Sequence, residues 1–522
     1  MRHTRLVSFK NVSIGLPDRL LVRGLSFSVQ SGRLLALVGA NGCGKSTILN
    51  LVESRHTGRD DLSDDSDVRA SGEINLAPGI SLVHLPQLLQ ANRDLVHRNY
   101  SLLPELSGRA VRLCDEFQVI EAAEPADRLS DGEIQKRAII RTLLEDHDLY
   151  LLDEPTNYLD IAGITAFENH VAALKDRGKG IILVTHDRTL TDNLADSTLL
   201  ISEHGIYRTV GGCSRARSVR STDLASRHRL AKAIKRKIGE LQDDCRRRAG
   251  WAAQKEKQKI GARGAKAHIS RLSKKMAKRA KAIQRRAERE VERLTETRPF
   301  VPKKLHLQFP PYDVRNRRVF SLDGVSFRYD GPSGAEATRD ESRLLQDISL
   351  SATTRDKICL MGANGSGKST IIRLIQRQLT PLAGRCYLND GVTTEYVPQG
   401  LEGFFKAGTL LDNFAACNCN ETAVRQHLGA ALIRKDKARE PIDRFSYGEL
   451  MRAAIVKCIL SRAEFLYLDE PTSHLDIESI EVLEELLCGF AGGFLLISHD
   501  RSFVGNVADS LHMLRDARLT MV

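Results

Sequence analysis

LVGANGCGKSTILNLVE, residues 37–53, returns 323 positions later as LMGANGSGKSTIIRLIQ, residues 360–376. Each copy follows an apolar run, Leu34 to Val38 in the first and Ile358 to Met361 in the second, which reads as a buried strand. The pattern G-x-x-x-x-G-K-S then opens an amphipathic helix at its lysine. Glycines let backbone N–H groups wrap an anion, and the helix N-terminus adds the positive end of its dipole. Candidate phosphate binders are Gly39, Ala40, Asn41, Gly42, Cys43, Gly44, Lys45, Ser46 and Thr47 in the first loop. In the second they are Gly362, Ala363, Asn364, Gly365, Ser366, Gly367, Lys368, Ser369 and Thr370. Lys45 and Lys368 are placed to reach terminal phosphates, and the hydroxyls of Ser46 and Ser369 to hold magnesium. The plainer reading, a flexible glycine turn, does not account for the full pattern occurring twice. Both loops are expected to bind a nucleoside triphosphate.

The composition narrows the setting. A chain of 522 residues has room for two to four domains, and 42% hydrophobic content suits a globular protein. No apolar stretch approaches the roughly 18 residues that a membrane span needs. The N-terminal MRHTRLVSFKNVSIG lacks the apolar core of a signal peptide, so a cytoplasmic location is expected. The ten cysteines form no C-x-x-C pair, and the closest two, Cys417 and Cys419, have no partner set nearby. Neither a disulfide framework nor a cysteine metal cluster is expected. The net charge of +12 points to an acidic partner.

Further marks recur after each loop in the same order. The first half has LPQ ending at Gln87, LSDGE from Leu129, LYLLDEPTNYLD from Leu149 and ILVTHD ending at Asp187. The second has VPQ ending at Gln399, FSYGE from Phe445, FLYLDEPTSHLD from Phe465 and LLISHD ending at Asp500. Corresponding glutamines, serines, aspartates and histidines are 312, 316, 316 and 313 residues apart, which is the spacing of a duplicated module. Asp153 and Asp469 close apolar strands, where an acid completes a magnesium shell. Glu154 and Glu470 follow directly, placed as general bases for an attacking water. His186 and His499 are candidate γ-phosphate contacts, and Gln87 and Gln399 candidate ligands to magnesium or water. These residues fit hydrolysis of a nucleoside triphosphate, and the resemblance they carry makes that ATP.

Together these elements resemble the ATP-binding cassette superfamily, as Walker A, Q-loop, signature, Walker B, D-loop and H-loop. The resemblance implies an α/β fold: two tandem P-loop cassettes, each a parallel-stranded core with an antiparallel β subdomain and a helical subdomain. It also implies head-to-tail pairing. ATP on Gly39–Thr47 would then be closed by Ser446 and Gly448, and ATP on Gly362–Thr370 by Ser130 and Gly132. The cofactors implied are ATP and Mg2+. Two departures stand out. LSDGE sets Asp131 near a triphosphate, where like charges ~4 Å apart repel by about 4 kcal/mol at an effective dielectric of ~20. The adenine-stacking aromatic is Tyr329 in the second cassette, whereas the aligned first-cassette residue is Leu16. The first cassette also carries an acidic insertion, GRDDLSDDSD, expected to be a solvated loop.

The domain division expected is 1–213 for the first cassette, 214–300 for a basic linker and 301–522 for the second cassette. Residues 214–298 carry 28 Lys and Arg against 9 Asp and Glu, a net of +19, which leaves −7 for the rest. Ala231, Ile234, Ile238, Leu241 and Cys245 fall at spacings of three and four. Ile269, Leu272, Met276, Ile283, Ala287, Val291 and Leu294 do nearly the same. Two helices in an antiparallel coiled hairpin are expected, with Gly250, Gly261 and Gly264 bracketing its turn. Such a charge exceeds what a solvated helix needs, and RNA is the polyanion that suits it. Lys255, Lys257, Lys259, Arg263 and Lys266 lie at or beside the expected tip as candidate RNA contacts, with Trp251 near them.

Two cassettes, EPTNYLD and EPTSHLD D-loops and a charged helical linker resemble the ABC-F family. That resemblance implies a ribosome-associated ATPase that binds at the E site and directs its hairpin toward tRNA and the peptidyl-transferase centre. KIGARGAKAHISRLSKKMAKRAKAIQRR looks like the linker of the antibiotic-protection branch. Ser130 lies only 43 positions after Gln87, leaving no room for an arm insertion, and only 23 residues follow His499. Both features favour that branch, and a monomer with intramolecular cassette pairing is expected. Two other readings are an ATPase subunit of a membrane transporter and a DNA-associated ATPase.

Overall fold

The computed structural model describes residues 4–17, 19–58, 68–87, 108–119, 131–202, 205–258, 282, 285–297, 314–329, 344–401, 403–417, 419–433, 436–473 and 475–522, with side chains left aside at 131 and 248–258. Two compact units result: Met1–Ala216 together with Leu305–Val522, and Arg217–Lys304.

In the first unit each phosphate loop issues from the middle of a six-stranded sheet. The first sheet runs Leu82–Leu85, Leu149–Asp153, Gly180–Val184, Leu34–Gly39, Ser197–Ser202 and Gly205–Val210. Its strands are parallel up to the last, which returns antiparallel. The second sheet repeats the order with Thr394–Val397, Phe465–Asp469, Gly493–Ile497, Lys357–Gly362, Ser510–Arg515 and Arg518–Met521. Both faces of such a sheet are covered, which is why its strands read as unbroken apolar runs. Leu34, Ala36 and Val38 enter one core while Leu35 and Leu37 enter the other. Cys359 and Met361 divide from Ile358 and Leu360 in the same way.

Each cassette also holds a three-stranded antiparallel sheet. Arg5–Gly15 lies between Leu20–Gln30 and Arg69–Leu76, and Arg318–Phe327 between Leu345–Thr353 and Ala383–Leu388. Phe9 and Phe27 stack across the first pair at 4.5 Å.

The cassettes exchange side chains. Ile477, at the start of helix Ile477–Cys488, is 2% exposed among the first cassette's core residues. Ile161, at the start of helix Ile161–Asp176, packs against the second cassette's core. Burying one such side chain stabilises the interface by about 1.5–3 kcal/mol. Two sequence-identical positions in the repeat thus meet opposite partners.

The second unit contains most of helix Cys213–Gln258, whose 46 residues extend about 69 Å. Ala231 and Ile234 are buried and Ile238, Leu241 and Cys245 half-buried, the seam expected from their spacing. A returning helix covers 285–296, with Ala287, Val291 and Leu294 half-buried. Leu241, Cys245 and Ala287 line one cleft, so the chain has reversed. Gly250 departs from expectation. It lies inside the helix rather than at its end, which continues for eight more residues. A mid-helix glycine costs about 1 kcal/mol relative to alanine, a cost the long helix absorbs. Gly261, Gly264, Ile269, Leu272, Met276 and Ile283 lie outside the described residues. Among the described residues no helix is long and apolar enough to cross a membrane.

Candidate nucleotide sites at the cassette interface

Both loops turn from strand to helix at a glycine that has no substitute. Gly44 and Gly367 precede the lysines with φ of 97° and 102°, a left-handed backbone that side chains disfavour. A Cβ at Gly39 would sit 2.3 Å from the Ile201 carbonyl oxygen, so the loop's first residue is glycine for space alone. Lys45 and Lys368 begin their helices and are buried. Lys45 Nζ donates to the carbonyls of Gly39 at 2.9 Å and Ala40 at 3.1 Å. Lys368 Nζ donates to Gly362 and Ala363, both at 2.8 Å. Each ammonium therefore points back into its own loop, where a phosphate would meet it.

Asp153 and Asp469 end strands two places along the sheet from each loop's own, buried, and accept hydrogen bonds from Ser46 and Ser369 respectively. In each aspartate the second oxygen, Oδ1, is buried without a partner. Burial pushes both carboxyls up, against the pull of the serine hydroxyls. A serine hydroxyl beside an orphaned carboxylate oxygen is an oxygen-only donor set of the kind magnesium takes, so these residues fit that ion.

Glu154 and Glu470 both adopt φ of 49°, rare outside glycine. Their amides donate to Val184 and Ile497 on the adjacent strands, at 2.8 and 2.9 Å. Each carboxylate feels the charge of its own loop's lysine, Lys45 for Glu154 and Lys368 for Glu470. His186 Nε2 lies 3.0 Å from Glu154 Oε1, and His499 Nε2 lies 3.2 Å from Glu470 Oε1. Asn157 Nδ2 donates to Glu154 Oε2 at 2.8 Å, where Ser473 reaches Glu470 Oε2 only at 3.4 Å. Burial works to raise Glu154, but His186, Lys45 and Asn157 outweigh it and hold the carboxyl at about 2. Glu470 goes the other way: burial and the neighbouring Asp469 push it up, against the charge of Lys368. Burial and the Lys368 charge take His499 down to about 4.

Sequence reading missed a second difference. His84 and Tyr396 occupy the same place in the two repeats, three residues before the glutamines. Tyr396 donates to Asp469 at 3.3 Å, while His84 Nδ1 lies 2.7 Å from Glu53 Oε2 with its Nε2 buried and unpartnered. The strand alignment alone pairs these residues, and that was the available signal.

A cavity of about 700 Å3 joins the cassettes. Gly132, Glu154 and His186 of the first cassette line it together with Lys368, Ser369, Gln399, Asp469, Glu470 and His499 of the second. Gln87 is exposed at the end of a described stretch. Ser446 caps helix Tyr447–Leu460 through a reciprocal pair with Glu449, and Gly448 follows inside that helix's first turn. Ser130 lies outside the described residues, as do Lys259, Arg263 and Lys266. Nothing is described of the side chains of Asp131, Trp251, Lys255 and Lys257, whose backbones are helical.

Tyr329 is 51% exposed, donates or accepts at 3.1 Å with Thr370 Oγ1, and meets Phe327 edge-on at 4.9 Å. Its ring is thus braced beside the second loop. Leu16 instead closes a tight turn with Arg19 through hydrogen bonds of 2.7 and 3.3 Å.

The D-loop aspartates reach across, a role the sequence did not assign. Asp476 Oδ2 accepts from the Asn41 amide at 3.0 Å, and Asp160 Oδ2 accepts from the Asn364 amide at 3.3 Å. Each also caps the helix that it precedes, accepting from Ser479 or Gly163. Burial alone would raise Asp476, but the Ser479 and Asn41 hydrogen bonds bring it below its ordinary value.

Comparison with known proteins bears on the family and the fold. A family model described as ABC transporter matches residues 22–157 and 345–473. The ribosome protection protein VmlR of Bacillus subtilis (strain 168) is 28% identical over 516 residues, covering 97% of this chain and 86% of that protein. ABC transporter F family member 5 of Arabidopsis thaliana is 26% identical over 572 residues, covering 98% and 75%. In fold, the chain is similar to the archaeal ribosome recycling factor aABCE1, crystallised with the ribosomal stalk protein aP1, at a TM-score of 0.60 and 18% identity, covering 95% and 87%.

Proposed function

The chain belongs to the ABC transporter family, as an ATPase with two cassettes in tandem, and from that premise we propose that it acts on the ribosome. In this reading ATP hydrolysis between the cassettes drives a basic hairpin toward the tRNA and peptidyl-transferase region. The observation that carries it is the placement of charge. A net of +19 in residues 214–298, on a helical arm joined to cassettes that are net negative, answers to a polyanion. The likeness to VmlR, named a ribosome protection protein, supports the ribosome as that polyanion, and antibiotic protection is the outcome proposed. Residues 1–213 and 301–522 are the cassettes and 214–300 the arm, and one copy of the chain makes both ATP sites.

The residues divide the work as follows. Lys45 and Lys368 transfer their hydrogen bonds from loop carbonyls to the β- and γ-phosphates. Magnesium, when held by Ser46 with Asp153 and by Ser369 with Asp469, supplies neutralising charge to those phosphates. Glu154 and Glu470 orient the attacking water and accept its proton, and His186 and His499, whose Nε2 atoms lie 3.0 and 3.2 Å from those carboxylates, contact the γ-phosphate. Gly132 and Ser130 close the second loop, and Gly448 and Ser446 the first.

The test is sedimentation of the full chain with 70S ribosomes through sucrose. Glu154→Gln combined with Glu470→Gln is expected to abolish phosphate release, retain ATP and hold the protein on the ribosome. Retained ATP without ribosome association overturns the ribosome reading; unchanged turnover overturns the assignment of the two glutamates.

A further inference from the structure

Two residues after each site histidine stands an arginine that crosses to the other cassette. Arg188, 1% exposed, makes a two-pronged pair with Glu484, its Nη1 at 3.3 Å from Oε2 and its Nη2 on Oε1. Its Nη2 also lies 3.9 Å from Asp500. The mirror position repeats the arrangement more loosely. Arg501 Nη1 is 3.6 Å from Glu168, and its Nη2 donates to Thr165 at 3.1 Å. Even the bracing amides correspond: Asn506 donates to Glu484, and Asn193 to Glu168.

What these pairs join gives them a role. Glu484 lies on helix Ile477–Cys488, whose capping Asp476 holds the Asn41 amide of the first phosphate loop. Arg188 follows His186, which faces Glu154 at that same site. The contacts thus form a ring: Asn41 to Asp476, along two turns of the partner cassette's helix to Glu484, across to Arg188, and back through His186 to Glu154. The second site has its own ring through Asn364, Asp160, Glu168, Arg501, His499 and Glu470.

We propose that Arg188 with Glu484, and more weakly Arg501 with Glu168, are positioning residues that hold the histidine of each ATP site in register with the opposing cassette's helix. Hydrolysis at a loop is then competent only when the other cassette's helix is seated on it. A buried arginine fork suits this work, because its geometry is rigid and an unpaired partner left behind is costly. The pair is unequal by construction. Arg188 is sealed, whereas Arg501 is 30% exposed and its pair is longer, so the first ring is the stiffer. The proposal rests on reading the Lys45 and Lys368 loops as the two ATP sites.

The experiment is steady-state ATP hydrolysis by the full chain, with binding of a fluorescent ATP analogue and thermal unfolding measured alongside. Arg188→Ala is expected to lower kcat about tenfold while leaving KM and analogue binding within about twofold. Arg188→Lys, which keeps charge but loses the fork, recovers part of the rate. The combination Arg188→Ala with Glu484→Ala is no slower than Arg188→Ala alone, and Arg501→Ala loses less than Arg188→Ala. Where Arg188→Ala fails to fold, the near-isosteric Glu484→Gln carries the same expectation. An unchanged kcat, or losses that multiply in the double variant, overturn the proposal. Analogue binding that survives Lys45→Ala together with Lys368→Ala overturns the site reading instead.

Discussion

The carboxylate of Asp476 holds the amide of Asn41 at 3.0 Å, across 435 residues of chain. One aspartate therefore serves two structures, the N-terminus of its own helix and the phosphate loop of the other cassette. Asp476→Ala removes both functions. Loss of the cap alone costs about 1 kcal/mol. ATP affinity at the Lys45 loop is expected to fall with it, and Asp476→Asn, which can still cap, is expected to be milder. Fluorescent-nucleotide titration of the two variants checks the order; equal affinities to the parent protein would remove the aspartate from the site.

The two bases of the nucleotides meet different surroundings. Tyr329 offers a braced ring where Leu16 offers none. Base stacking on an aromatic contributes ~1–3 kcal/mol, so Tyr329→Ala is expected to weaken nucleotide binding at the second loop about tenfold or more. Leu16→Tyr is expected to tighten the first. Titrations in a Lys45→Ala or Lys368→Ala background assign each change to its loop.

A pH dependence follows from Asp500. Burial, with Asp187 and Glu484 nearby, pushes its carboxyl up to about 6 despite the charge of Arg188. In the unfolded chain the group returns to its ordinary value of about 3.9. The folded state binds the extra proton, so this group's stabilisation is complete below about 4 and is lost as pH rises through about 6. The loss is at most about 3 kcal/mol. Asp500→Asn still caps the helix but does not titrate. Its thermal midpoint relative to the parent protein is expected to improve between pH ~4 and ~7, and a constant difference across that range would contradict the assignment.

The arm should bind through phosphates. Neutralising Lys255, Lys257, Lys259, Arg263 and Lys266 together is expected to flatten the salt dependence of ribosome binding, by up to about 0.9 in log–log slope for each phosphate that the arm then leaves unneutralised. ATP hydrolysis by the cassettes alone should persist. Co-sedimentation across a salt series measures the slope, and an unaltered slope would exclude these five residues from the interface.

Much of this protein is local and therefore legible. The phosphate loops, the strands that carry them and the acidic pairs behind each strand depend on short-range demands: positive φ before the lysine, close approach at Gly39, apolar runs for a sheet buried on both faces. The 3–4 spacing of Ala231, Ile234, Ile238, Leu241 and Cys245 likewise announced the seam of the arm. Tertiary structure decided the rest. Nothing in residues 188 and 484 taken alone tells of their pairing across 296 positions, because it exists only once two repeats face each other with opposite polarity. The same holds for Ile161 and Ile477, apolar residues whose cores belong to the other cassette. Nor does the repeat itself foretell that Glu154 is held low and Glu470 raised. Their motifs match, but a carboxylate's proton affinity is fixed by what surrounds it in space, and Asn157 brings an amide where Ser473 leaves a longer contact.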